Sequence, residues 1–252
     1  MADLSGRSAI VTGGLAGIGL AIAQGLAAAG ARVAVGSRGG GAGVPQGLAH
    51  AAALDVGSTA SVNDFVAGAV AAIGPVDILV NAAGITAEQP VCGHDDALWD
   101  RIIDTNLTGA FRMSRAVLPT MLARGWGRVL NIGSTAATVG ARDSPAYCAS
   151  KAGLLGLTRC LALEGAAQGV TCVMISPTWV DTEMMDRNLA EVVAREGLGR
   201  TIAQARAEIA AQNPQKRILE AKEIAGLAVF LCSDAACGIT MENIQVTGGA
   251  LW

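Results

Sequence analysis

Short apolar runs of strand length alternate along this chain with longer segments whose apolar residues recur at helical spacing, and few architectures accept that order. The strand-like runs are SAIVTG (8–13), ARVAVGS (31–37), AHAAALDV (49–56), VDILVNAAG (76–84), GRVLNIGS (127–134), VTCVMISP (170–177) and NIQVTGG (243–249). Each is short and closed by turn residues, and many are β-branched. Between them lie GIGLAIAQGLAAAG (17–30), STASVNDFVAGAVAAIG (58–74), the long stretch 97–125, the segment around Tyr147 and EAKEIAGLAVFLCSD (220–234), all of helical character. Strands buried on both faces, with helical crossovers between them, read this way. The pattern predicts an α/β fold: a doubly wound, seven-stranded parallel sheet with helices on both faces. At 252 residues, 52% hydrophobic and 15% charged, the chain can bury one large core, so residues 1–252 are expected to form a single domain.

Two regions break the rhythm. RGGGAGVPQGLA (38–49) is too short and too rich in Gly and Pro for a crossover helix, and predicts a loop or single turn. Residues 181–215 hold two helix-like pieces with no strand between them, an excursion that predicts a small lid over a site.

Charge and cysteine content exclude several classes. A net charge of −3 without Lys/Arg runs argues against nucleic-acid binding. The six cysteines, Cys92, Cys148, Cys160, Cys172, Cys232 and Cys237, lack metal-ligand spacing and disulfide-scaffold density, and read as reduced, mostly buried thiols with no metal. No basic start leads into an apolar stretch, and no apolar run reaches the ~18 residues of a membrane span. A soluble, cytoplasmic protein without membrane contact is the expectation.

The first chemical motif is TGGLAGIG (12–19), between the first strand and first helix. Gly13 permits a tight turn, Gly17 lets backbone approach a pyrophosphate, Gly19 permits close packing, and the helix N-terminus attracts the anion. A second constellation follows: Ser134 ends the fifth strand, Tyr147 stands near a helix start, and Lys151 lies four residues on. That spacing puts the phenol and the ammonium on one helix face. A free tyrosine titrates near ~10, and a neighbouring cation favours its phenolate, so Lys151 is expected to tune Tyr147 as an acid/base.

TGGLAGIG, NAAG (81–84), Asn106, Ser134 and YCASK (147–151), in this order over nearly the whole chain, resemble the short-chain dehydrogenase/reductase family. The resemblance implies a Rossmann fold and hydride transfer between a nicotinamide cofactor and a ketone or secondary alcohol. It implies a catalytic tetrad in which Tyr147 is the acid/base, Ser134 binds the substrate oxygen, Lys151 tunes Tyr147 and binds the nicotinamide ribose, and Asn106 holds a proton-relaying water. Cofactor contacts would come from Gly13, Leu15, Gly17, Ile18 and Gly19, from Ser37 and Arg38, from Asp55 and Val56 at the adenine, from Asn81, Ala82 and Gly84, and from Pro177, Val180 and Thr182 at the nicotinamide end.

The end of the second strand bears on cofactor choice. An acidic side chain there would accept the ribose hydroxyls and repel a 2′-phosphate, but Ser37 stands there and Arg38 follows. A hydroxyl and a guanidinium suit a phosphate, which favours NADP(H), with NAD(H) as the alternative. The family's second basic position, in the glycine turn before Gly17, holds Ala16.

Thr135, Ala136, Arg142, Asp143, Trp179, Met184 and Met185 are expected around the substrate, an apolar set with a polar edge that suits a partly hydrophobic ketone or alcohol. Thr178 stands where the family commonly has glycine. NIGS and DTEM resemble the 3-oxoacyl-carrier-protein reductases, but the position before Glu164 that often carries a basic docking residue in that subgroup is Leu163. A 3-oxoacyl-thioester reductase, a non-catalytic dinucleotide-binding sensor and a non-redox enzyme using the tyrosine are the alternatives. The resemblance implies a homotetramer built on the fourth and fifth helices and the C-terminal strand, with Trp252 a candidate for tucking into a neighbour.

Overall fold

The computed structural model describes residues 2–40, 43–197 and 199–250. Trp252, placed above at a subunit contact, lies outside the described residues, as do Gly41 and Ala42 of the 38–49 connection. The sheet has seven parallel strands: β1 (Ser8–Thr12), β2 (Arg32–Ser37), β3 (His50–Ala53), β4 (Ile78–Asn81), β5 (Gly127–Ile132), β6 (Val170–Pro177) and, after a further short pair, β9 (Asn243–Val246). Their order is β3-β2-β1-β4-β5-β6-β9. Every residue of β1, β4, β5 and β6 is buried, which is why these strands read as continuous apolar runs.

Helices cover both faces. On one, α1 (Gly17–Ala28) and α8 (Ala221–Leu231) bury Ile22, Leu26, Ile224 and Leu231 against Val11, Val33 and Val80. On the other, α2 (Thr59–Ile73), α4 (Gly109–Arg124) and α5 (Pro145–Gly165) bury Phe65, Ile73, Met113, Met121 and Leu161 against Ile10, Leu79 and Val129. Adjacent strand residues such as Ile10 and Val11 point to opposite faces, so one strand serves both layers.

The excursion 181–215 folds as α6 (Glu183–Glu196) and α7 (Ile202–Gln212), and Met185, Leu189 and Ala205 form a small core between them. Arg206 of α7 pairs with Asp181 at 2.7 Å and Asp186 at 2.6 Å, fastening both helices to the start of the excursion. A two-residue parallel pair, β7 (Val180–Asp181) with β8 (Leu219–Glu220), closes the neck of this region. The periodicity gave no sign of so short a pair. The connection 38–49 carries no helix among its described residues, and the strand expected over 49–56 is only His50–Ala53, with the Leu54 amide still donating to the Ser37 carbonyl and the chain turning at 56–57 before α2.

The long segment 97–125 is two α-helices, α3 (Asp96–Ile103) and α4, joined by one π-helical turn over Asp104–Thr108. Asp95 caps α3 by accepting from the Ala97 amide at 2.9 Å. The Gly109 amide donates to the Asp104 carbonyl, a bond five residues long that bulges the helix at Asn106.

The N-terminal edge of the sheet is fastened by charge. The Arg7 and Arg128 guanidinium carbons lie 3.6 and 4.2 Å from the Trp126 ring centroid, and the Trp126 indole N–H donates to Asp234 at 3.1 Å. Arg128, 2% exposed, donates to the Gly127 and Gly169 carbonyls. Asp77 accepts from the Ser8 amide at 3.0 Å and pairs with Arg124 at 3.2 Å. Among the described residues no helix is long and apolar enough to cross a membrane.

Candidate active site

The strand order reverses at β1 and β4, so the chain leaves their C-terminal ends in opposite directions and a crevice opens there. The glycine turn forms one lip. Gly13 has φ +64°, and a Cβ on it would sit 3.0 Å from the Ala83 backbone, closing the crevice. A Cβ on Gly19 would strike the Gly13 carbonyl oxygen, so this glycine serves closure of the turn itself, where the sequence suggested helix packing. Ala16 places no side-chain cap on α1, which leaves its first amides free for an anion.

The other lip is the segment after β4. The Ala82 and Ala83 amides both donate to the Thr12 hydroxyl, at 3.1 and 3.0 Å, which pins this lip to β1. Asn81 is buried and donates to Asn131 at 2.8 Å and to Ser114 at 3.3 Å, so it braces β4 against β5 and α4. A dinucleotide fits these residues: two lips held apart by glycine, open amides at one end, and Gly84 leaving space beside Asn106 and Lys151 at the other.

Asn106, Ser134, Tyr147 and Lys151 converge at the far end. The Tyr147 hydroxyl faces the Ser134 side chain, which favours its ionised form. Ser134 also accepts from the Ala136 amide at 3.1 Å, which starts a short 3-10 turn over Thr135–Ala137. Lys151 Nζ lies 5.6 Å from the Tyr147 ring centroid and donates to the Ile132 carbonyl at 2.8 Å. Asn106, 2% exposed, accepts from the Ile85 amide at 2.8 Å and donates to the Ile85 carbonyl at 2.9 Å and the Ser150 hydroxyl at 3.0 Å. Ser150 in turn donates to the Tyr147 carbonyl at 2.7 Å.

Electrostatics at this end are ruled by burial. Tyr147 is only half-buried as a residue, yet desolvation pushes its phenol above the ordinary tyrosine range, and the Ser134 side chain pulls back less strongly. This reverses the expected lowering by Lys151. The reason is burial of the phenol itself, and the lysine shares that environment: it is 5% exposed, and burial pulls its own ionisation down to about 8. Its ammonium is aimed at the Ile132 carbonyl, with the ring beside it.

Leu15 and Ile18 pack partly into the core, Ser37 ends β2, Arg38 is exposed, and Val56 is buried. Asp55 is exposed, and its carboxylate accepts from the Gly57 amide at 3.0 Å, a turn-forming bond. Pro177 ends β6, Val180 is buried in β7, and Thr182 caps α6 by accepting from the Met185 amide. Thr182 also faces the glycine turn, since a Cβ on Gly17 would meet its methyl at 3.3 Å.

Two substrate candidates are misplaced. Met185 is 3% exposed in the small core between α6 and α7, a helical step from Met184, which is 37% exposed. Arg142 has a 96% exposed side chain and turns to solvent beside Asp143. Asp143, at φ 61°, fixes the loop, and its carbonyl accepts from the Gln89 amide at 2.6 Å. Ala136 is half-buried, and Trp179 is 40% exposed. Thr178 takes no positive φ, so nothing at that position requires glycine. Sequence reasoning missed Ile85 and Ser150, which hold Asn106; Ser150 stood inside the quoted YCASK, three residues after the tyrosine.

The short chain dehydrogenase family model matches residues 7–193, with the glycine turn, Asn106, Ser134, Tyr147 and Lys151 all inside the match. The chain belongs to the short-chain dehydrogenase family. It is 38% identical over 256 residues to the 3-oxoacyl-[acyl-carrier-protein] reductase of Escherichia coli, covering 98% of each chain. It is 35% identical to the D-beta-hydroxybutyrate dehydrogenase of Cupriavidus necator, covering 99% of this chain and 96% of that one. Among solved structures, a single-residue variant of the actinorhodin polyketide ketoreductase with NADPH superposes with a TM-score of 0.89 at 34% identity, covering 99% of this chain and 98% of that one. As a short-chain dehydrogenase, the protein is an NAD(P)-dependent oxidoreductase interconverting ketones and secondary alcohols.

Proposed function

We propose that this short-chain dehydrogenase reduces a partly hydrophobic small-molecule ketone, or oxidises the matching alcohol, with Tyr147 as acid/base and with NADP(H) favoured over NAD(H). The carrying observation is the Tyr147 hydroxyl facing the Ser134 side chain with the Lys151 ammonium 5.6 Å from the ring centroid. When bound, the nicotinamide supplies or accepts the hydride. Tyr147 gives its proton to the carbonyl oxygen while the Ser134 hydroxyl donates to the same oxygen and fixes its place. The phenolate left behind lies beside the Lys151 cation, which opposes the cost of burying it.

Asn106 holds the proton-relay water through an acceptor. Both of its Nδ2 hydrogens are already used, by Ile85 and Ser150, so the second lone pair of Oδ1 remains for that water. Asn106 also sets where α5 presents Tyr147, through Ser150.

Trp179 and Met184 support an apolar substrate portion, since both are large, exposed and beside the neck of residues 181–215, which act as the substrate lid. Arg38 and the absence of a carboxylate at the end of β2 support NADP(H). A 3-oxoacyl thioester is the second reading, favoured by the name of the Escherichia coli relative. The 68% exposed Leu163 weighs against an acidic carrier protein docking at that point, and with the 43% exposed Phe111 of α4 it supports a homotetramer interface, to which the edge strand β9 would add. Exposed reduced thiols at Cys92, Cys160 and Cys237 suit the cytoplasm.

Tyr147→Phe tests the assignment. Turnover should fall by ~100-fold or more, the span of general acid/base contributions, with dinucleotide affinity little changed. Normal turnover by the Phe variant would remove Tyr147 from the mechanism.

A further inference from the structure

A single guanidinium is a weak selector for a phosphate dianion, and in this chain the glycine turn, where a second cation could stand, offers only Ala16. The structure supplies a cation from elsewhere. A recess of about 220 Å3 opens at the end of β2, walled by Arg38, by residues 85–87, and by Leu98, Arg101 and Ile102 of α3. No carboxylate lines it. Neither the Arg38 nor the Arg101 guanidinium has a hydrogen-bond or ion-pair partner among the described residues. Asp104, the next carboxylate along the chain, pairs with Arg112 at 2.7 Å, Asp55 accepts from the Gly57 amide, and the adjacent, exposed Asp100 makes no ion pair with Arg101 among the described residues. Two unpaired like charges facing one partly apolar recess repel each other, and an entering anion relieves that repulsion.

We propose that Arg101 is a second ligand of the NADP(H) 2′-phosphate, so that cofactor selectivity is set jointly by Arg38 at the end of β2 and Arg101 on α3. This rests on the NADP(H) reading above. The anion is a phosphate monoester because two guanidinium forks from separate elements match three acceptor oxygens and a double negative charge. It belongs to the cofactor because the end of β2 faces the adenosine ribose in a doubly wound sheet. Arg101 is exposed and at the last turn of α3, where its removal leaves the core intact.

The test is titration of the purified protein and of Arg101→Gln, Arg101→Lys and Arg38→Gln with NADPH, NADH, 2′,5′-ADP and 5′-AMP, at low and high salt. Arg101→Gln should weaken NADPH and 2′,5′-ADP by ~10-fold, the order of one charge-assisted hydrogen bond, while NADH and 5′-AMP stay within about twofold by the same reasoning. The salt dependence of NADPH binding should flatten, and Arg101→Lys should fall between. Equal shifts for NADPH and NADH, or none for either, would overturn the role of Arg101. Selective loss of NADPH in Arg38→Gln alone would then leave the NADP(H) reading standing without it. A wild-type protein that binds NADH as tightly as NADPH would sink both.

Discussion

Lys151→Met should change how stability depends on pH. In the folded chain burial holds the Lys151 ammonium down to about 8, against 10.5 for an ordinary lysine. Below pH 8 both folded and unfolded chains carry the proton, and the fold bears the full cost of the buried cation. Between about 8 and 10.5 the unfolded chain binds more protons than the folded one, so stability must rise with pH through that window. A displacement of this size, at ~1.4 kcal/mol per pH unit, amounts to about 3 kcal/mol. Methionine keeps the length and the apolar stem but removes the titration. It also leaves the Ile132 carbonyl without its donor at 2.8 Å, a loss of about 1–3 kcal/mol that does not vary with pH. Urea unfolding of both proteins at matched concentration, from pH 7 to 11, separates the two effects. The wild-type minus variant difference should climb by about 3 kcal/mol across the range and then level. A flat difference would show that Lys151 is not held down by burial and would undo the electrostatic account of the site.

Two further outcomes bear on the crevice and the thiols. Gly13→Ala should lose most dinucleotide affinity and destabilise the fold by about 1–3 kcal/mol, because the new methyl needs φ +64° and meets Ala83; calorimetric binding and thermal melts would read both effects. Iodoacetamide at pH 8 should label exposed Cys92, Cys160 and Cys237 in native protein, while Cys232, pushed up to about 12 by burial, and Cys172, pushed higher still, react only after denaturation; peptide mass mapping that found Cys232 labelled natively would contradict its burial.

What the sequence made legible was whatever local pattern controls. Strands buried on both faces announce themselves as apolar runs, and Tyr147 and Lys151 share a face because helical spacing requires it. Ser134 and Asn106 reached the same place because they sit at strand and helix positions that the parallel order brings together. Features set by depth were hidden. The sign of the Tyr147 displacement depends on how much protein surrounds the ring, which no spacing reveals. Met184 and Met185 are equivalent as letters and diverge only once α6 and α7 choose which side faces inward. The π-helical turn at 104–108 inserts no breaker residue, and the β7–β8 pair is too short to leave a period. Arg101 lies in an ordinary amphipathic helix, and only the folded chain sets it across a recess from Arg38.

The cation–aromatic stack of Arg7, Trp126 and Arg128 with Asp234 lies at the N-terminal edge of the strands, opposite the crevice. It ties the segment before β1, the start of β5, the turn before β6 and the turn after α8 into one knot. Insertions, tags or loop grafts at that end would have to unpick several partners at once, whereas at the opposite rim the Asp143 loop and the excursion 181–215 make no hydrogen bond or ion pair to the knot among the described residues. For anyone redesigning the protein, the molecule therefore has a foundation and a workbench, and new substrate recognition can be built on the second while the first is left alone.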